Sequence, residues 1–301
     1  MEKVCVIGAN GFLGRKCLFS FQDNFTVVAA DIAKTCIPNG VPFELIDITN
    51  PESVERVLSR IQPDIVLLTA AMTDVDGCEE QSERAFVINC EGPRNIAKMC
   101  CQIGARLIFI STDFVFDGTK STPYTEDDNP NPISQYGLSK LYGEKAILDE
   151  ACDALICRTS VLYGLPQVTQ RDNFATWLLK RLEGGESTKI VTTQWNTPTF
   201  ADNFAECLSS LTEFSGFDVF HTVGGTCLSR YSFALDIARA FNFSEDLIDP
   251  IESFPQKARR PLNGCLANQK ASQFFGLHFA TVTDSLETIK SQWYQQEERE
   301  S

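Results

Sequence analysis

Histidine is nearly missing from this chain: His221 and His278 are the only two among 301 residues. That leaves too few imidazoles for a cysteine–histidine zinc site, and no metal is assigned. None of the twelve cysteines forms a Cys-x-x-Cys pair, and Cys100 and Cys101 are direct neighbours. Thiols scattered in this way read as reduced, buried small hydrophobes rather than as a disulfide framework. Long apolar runs are also missing. The first one, Val4–Ile7, is too short for a signal-peptide core, and Ile65–Ala71 falls far below the ~20 residues of a membrane helix. The expected location is cytoplasmic, with no membrane partner. Positive charge is in deficit, with 26 Lys and Arg against 40 Asp and Glu for a net charge of −14 and a pI near 4.6. Such a surface repels phosphate backbones and anionic lipid, so no nucleic-acid partner is expected; a local basic pocket for a nucleotide is compatible with it.

What is present is ordinary globular composition, 43% hydrophobic and 22% charged, in a chain long enough to bury roughly 75% of its unfolded surface. Short apolar runs alternate with helical patterns. Strands are expected at Val4–Ile7, Phe25–Ala30, Phe43–Ile46, Ile65–Ala71, Arg106–Ser111 and Ala154–Thr159. Between them helices are expected over Phe12–Phe21, Pro51–Ile61, Glu79–Cys101 (interrupted near Gly92-Pro93) and Ser134–Glu150. That rhythm predicts an α/β protein whose residues 1–160 form a Rossmann fold, a doubly wound parallel sheet with helices on both faces. Beyond Ser160 the rhythm loosens into helices at Asn173–Leu182, Asp202–Leu211, Ser229–Phe241 and Thr281–Gln296, with short strands near Lys189–Thr192 and Val219–Thr222. Residues 161–301 are expected to make mainly a smaller, mixed α/β substrate lobe, with later strands completing the edge of the sheet.

The first chemical signal is Gly8-Ala9-Asn10-Gly11-Phe12-Leu13-Gly14, with glycines at every third position between a strand and a helix. The first permits a tight turn, the second admits a pyrophosphate close to the backbone, and the third lets helix and strand pack closely. The helix N-terminus then offers free N–H groups to phosphate. Asp31 ends the second strand, where a carboxylate can bond a ribose 2′-hydroxyl and repel the 2′-phosphate of NADP. NAD(H) is therefore the first choice and NADP(H) stays open. Asp47 and Ile48 are placed beside the adenine, and Thr69, Ala70 and Ala71 against the cofactor.

Tyr136-Gly137-Leu138-Ser139-Lys140 sets a tyrosine and a lysine four apart, on one face of a helix. A lysine ammonium one turn away, with the nicotinamide's own positive charge, can lower a tyrosine's pKa and so fit it for proton donation. Ser111-Thr112-Asp113, at the end of the preceding strand, offers a hydroxyl to the same substrate oxygen.

These motifs together resemble the extended short-chain dehydrogenase/reductase superfamily, and within it the dTDP-4-dehydrorhamnose reductases. The likeness runs through Ser111–Gly118, Tyr136–Lys145, Arg158-Thr159-Ser160, Asn173-Phe174, Thr197-Pro198-Thr199, Ser229-Arg230-Tyr231 and Arg259–Asn263. It implies Thr112, Tyr136 and Lys140 as the catalytic set, with Lys140 also bonding the nicotinamide ribose. It further implies contact of Thr112, Asp113, Arg158, Asn173 and Arg260 with a nucleotide-sugar, the two arginines serving its diphosphate. Three positions depart from the reductase pattern: Val161 where tryptophan is usual, Asn196 for glycine, and Thr69 for asparagine. The chain is also similar to the regulatory β subunit of methionine adenosyltransferase, which implies a partner enzyme rather than turnover. Val161 and Trp195 point toward that second likeness. Nucleotide-sugar epimerases use the same tyrosine and nicotinamide, and relatives occur as monomers and homodimers.

Overall fold

The computed structural model describes residues 1–150, 152–167 and 170–300, the last five as backbone alone. Its centre is built from runs too apolar to face water on either side. β1 (Lys3–Ile7), β4 (Ile65–Leu68), β5 (Arg106–Thr112) and β6 (Ala154–Thr159) are buried along almost their whole length. Near-continuous burial is what a parallel sheet covered on both faces requires. β2 (Thr26–Asp31) and β3 (Phe43–Leu45) extend the sheet on one side. Past β6 the chain makes short strands only, β7 (Leu162–Tyr163), β8 (Thr188–Val191), β9 (Trp195–Asn196) and β10 (Thr199–Phe200). β11 (Phe217–His221) then returns to the main sheet, which runs β11-β6-β5-β4-β1-β2-β3, every pair parallel. The strand order reverses between β1 and β4, the point where open α/β sheets leave a crevice at their C-terminal ends.

The helices cover both faces. α1 (Phe12–Phe21) packs Leu13, Leu18 and Phe21 on one side of the sheet. α2 (Pro51–Ile61) covers the other, capped by Asn50, whose side chain accepts from the N–H groups of Glu52 and Ser53. The long helix expected over Glu79–Cys101, interrupted near Gly92-Pro93, is divided further, into α3 (Val75–Glu80), α4 (Ser82–Phe86), a π-helical turn at Val87–Glu91 and α5 (Gly92–Ile103), which restarts at Gly92 as expected. The π turn carries Asn89 inward, fully buried. Its amide accepts from Met72 N–H at 2.8 Å and donates to Met72 O and to Ser139 Oγ, each at 3.0 Å. α6 (Gln135–Asp149) follows β5.

Position along the chain and position in space part company after residue 160. α7 (Phe174–Glu183), α9 (Arg230–Ala240) and α11 (Val282–Glu300) gather around Tyr163, Phe233 and Ile289 into the lobe's own core. α8 (Ala201–Ser210) sends Phe204 and Leu208 into the core of α1 instead, joined by Phe220 of β11 and Ala271 of α10 (Gln269–Phe275). The short strands pair within the lobe: β12 (Leu228–Ser229) and β14 (Asn263–Gly264) flank β9, and β13 (Ile248–Ile251) joins β8.

The expectation of reduced cysteines throughout is corrected at one place. Cys227 and Cys265 form a disulfide, with Cα atoms 5.7 Å apart. They lie 38 residues apart in sequence, so linear spacing gives no hint of pairing, yet β12 and β14 bring both to the Asn196 end of β9. Among the described residues no helix is long and apolar enough to cross a membrane, and no three His, Cys, Asp or Glu side chains gather as a metal site.

Candidate active site

Where β1 ends, the chain must turn within a space that excludes side chains. Gly8 has φ +90°, and a Cβ there would lie 2.5 Å from Ala70 N; one on Gly14 would lie 2.2 Å from Gly8 O. Gly11 starts α1 with no capping side chain among the described residues, so first-turn N–H groups are left for a ligand to meet. A cavity of about 1160 Å³ opens here, lined by Gly8, Asn10, Gly11, Phe12, Leu13, Gly14, Asp31, Asp47, Ile48, Thr69, Ala70 and Ala71. The backbone cradle and the exposed helix N-terminus fit a dinucleotide's pyrophosphate.

Several of these side chains are committed to shaping the cradle. The Asp31 carboxylate accepts from Asn10 N–H at 2.9 Å and Ile32 N–H at 2.7 Å, which holds it at the cavity edge. Asn10 accepts from the N–H groups of Thr35 and Cys36 and donates to Ala33 O, so its amide pins the following loop. Thr69 Oγ1 lies 3.0 Å from Ile7 O and 3.2 Å from Gly8 O, fastening β4 to the glycine turn.

At the other end of the cavity, α6 carries Tyr136 and Lys140. Ser134 caps this helix by accepting from Gly137 N–H, and Gly137 is so close to the end of β5 that a Cβ would lie 2.1 Å from Phe114 O. The Tyr136 ring meets Phe114 edge-on at 5.4 Å. Its hydroxyl lies near Thr112, which opposes the shift, while burial pushes the phenol well above the ordinary tyrosine value. Lys140, 2% exposed, donates from Nζ to Ile110 O at 2.7 Å and lies 4.0 Å from the centroid of Phe109. Burial lowers its pKa to about 7, opposed by the charge of Glu144. This ammonium does not by itself lower the tyrosine. The lysine is bonded to a backbone carbonyl, and desolvation dominates both groups.

Asp113 is buried beside Thr112 and pushed up to about 6 by desolvation, against hydrogen bonds from Ser160 (2.8 Å), Thr112 (3.1 Å) and Asn196 (3.2 Å). Asn196, which departs from the reductase pattern, thus gives its amide to Asp113. Thr159 Oγ1, on the cavity wall, is buried with no hydrogen-bond partner among the described residues. Val161, another wall residue, adopts φ +43°, a strained conformation for a β-branched residue.

The arginines need correction. Arg158, expected at the substrate diphosphate, does not line the cavity. It points into the body of the protein, 4% exposed, and its guanidinium grips Glu144 at 3.0 and 2.7 Å. A buried cation needs a buried anion, and Glu144, which also accepts from Ser111 Oγ, is the anion available. Arg260 does reach the cavity, held by both oxygens of Asp76 at 3.0 and 3.1 Å. Asn173 also lines it, but its amide caps α7 and donates to Gly164 O. Reading by motif missed Arg230 as a site residue, although Ser229-Arg230-Tyr231 carried part of the resemblance. It missed Glu144 and Asn89 as well. Glu144 lies a further four residues along the helix from Tyr136 and Lys140, a spacing that could have signalled it.

A Rossmann sheet with a glycine cradle at one end of its crevice, and Thr112, Tyr136 and Lys140 at the other, defines an extended short-chain dehydrogenase/reductase. The chain belongs to the RmlD substrate binding domain family, whose profile matches residues 1–294. It is similar to a dTDP-4-dehydrorhamnose reductase of Burkholderia thailandensis, 31% identical over 91% of this chain and 93% of that one. It also resembles the rat methionine adenosyltransferase 2 subunit beta, 33% identical over 88% of this chain and 80% of the relative. Among solved structures it superposes on the dTDP-4-dehydrorhamnose reductase of Bacillus anthracis in complex with NADP, with a TM-score of 0.87 and 29% identity over 96% of this chain and 98% of that one.

Proposed function

We propose that this protein is an NAD(P)H-dependent oxidoreductase that reduces a nucleotide-linked 4-keto-deoxysugar, as a dTDP-4-dehydrorhamnose reductase does. One observation carries the reading: a single cavity holds both the pyrophosphate cradle at Gly8–Gly14 and the hydroxyl pair of Tyr136 and Thr112. The dinucleotide, when bound, supplies the hydride. Tyr136 then gives its phenolic proton to the carbonyl oxygen as that oxygen becomes a hydroxyl, and Thr112, turning its single hydroxyl proton from Asp113 to that oxygen, donates a hydrogen bond that keeps it in line. Lys140, in its charged form, holds the cofactor's ribose and balances the phenolate left on Tyr136. Asp113, with Ser160 and Asn196 fixing its carboxyl, contacts the sugar.

The test is oxidation of NADH and NADPH against a panel of nucleotide-linked 4-keto sugars. Turnover with at least one is expected. Tyr136→Phe should lose rate by roughly 10²–10⁴-fold while still binding dinucleotide. Absence of oxidation with every sugar, from protein that binds the dinucleotide, overturns the reading. The likeness to the rat subunit supports a second reading, a dinucleotide-binding regulatory partner of another enzyme. On that reading Tyr136→Phe would leave function unchanged.

A further inference from the structure

Three arginines line the cavity, and two are already engaged. Arg84 donates to Gln81 Oε1 at 3.1 Å, and Arg260 is clamped by Asp76. Arg230 is different. Its guanidinium carbon sits 4.5 Å from the centroid of Phe174, and its backbone N–H donates to Gln194 O. Among the described residues its side chain makes neither a hydrogen bond nor an ion pair. The charges that act on it are Asp113 and Arg260, the first attracting and the second repelling, and desolvation draws its pKa down to about 10. It is also the first residue of α9, an eleven-residue helix capped by Ser229, whose positive end adds to the same field. A planar guanidinium stacked on an aromatic ring, short of a counter-anion and beside a second arginine, matches a bidentate phosphate oxyanion.

We propose that Arg230, together with Arg260, binds the diphosphate of the nucleotide-sugar, so that Arg230 takes the place expected of Arg158. This rests on the reductase reading and adds the residue that selects its anionic substrate. Phe174 sets the plane of the fork.

The experiment is calorimetric titration of the wild type, Arg230→Gln and Arg230→Lys with dTDP, with UDP, with thymidine, and with NADPH. Arg230→Gln should weaken dTDP binding about 10- to 100-fold, the range of a lost charged hydrogen bond pair. Thymidine and NADPH should be unchanged within about twofold, the latter showing that the variant is folded. Arg230→Lys, which keeps the charge without the fork, should fall in between and stands in should the glutamine variant not fold. If the wild type binds dTDP and both variants bind it equally well, the assignment of Arg230 is overturned and the reductase reading stands. If the wild type binds NADPH but neither dTDP nor UDP at millimolar concentration, both are overturned. An equal loss of thymidine and dTDP affinity would also overturn it, since the arginine would then be shaping the pocket rather than meeting the phosphates.

Discussion

Asp113 and Lys140 are both buried against the catalytic wall, and their protons move in opposite senses. Asp113 is raised from 3.8 to about 6, so between those values the folded protein holds a proton the unfolded chain has released, and stability falls as pH rises through that window. Lys140 is lowered from 10.5 to about 7. Over that range the unfolded chain holds the extra proton, and stability climbs with pH. Lys140→Met keeps most of the volume without the charge. Urea midpoints of the variant should therefore lose the climb above pH 7 that the wild type shows; an unchanged climb would place its origin elsewhere. Single residues also mark where reading the sequence stopped short. Tyr136, Lys140 and Thr112 were legible because their order and four-residue spacing imply one face and one strand end. Arg158 and Arg230 look equivalent in a linear sequence. What separates them is Glu144, whose carboxylate satisfies the first and leaves the second to a ligand, and that choice exists only in three dimensions.

The strands and most helices follow from runs such as Ile65–Leu68 and from caps such as Asn50 and Ser134, so the alternating layout was readable almost throughout. Gly92-Pro93 announces the interruption of the expected Glu79–Cys101 helix, but not its π-helical form over Val87–Glu91, because that turn answers to the tertiary demand of Asn89 for Met72 and Ser139. The approach of α6 to β5 is equally specific. Gly137→Ala would drive a methyl to 2.1 Å from Phe114 O, displacing the turn that carries Tyr136. More than a hundredfold loss of activity is expected, with destabilisation of about 1–3 kcal/mol or more. Gly104→Ala is the control. With φ +72° and open space around it, it should cost about 1–2 kcal/mol through backbone strain and leave activity intact.

For the whole molecule, the Arg158–Glu144 pair joins β6 to α6 at a point sealed from water, with side chains 5% and 7% exposed. Arg158→Leu strands a buried carboxylate, and a loss of about 3–5 kcal/mol is expected in denaturant titrations. A surface pair such as Lys180–Asp172 should contribute under about 1 kcal/mol. The path of the chain between lobe and sheet has a further consequence. It leaves the sheet after β6, returns for α8 and β11, leaves again for α9 and β13, and comes back with α10 before ending in α11. No single cut therefore separates the part that binds sugar from the part that binds nucleotide. Exchanging one contiguous half for that of a relative would cut through both cores, whereas single substitutions on the cavity wall, at Val161, Asn196 or Arg230, leave the interleaved frame intact.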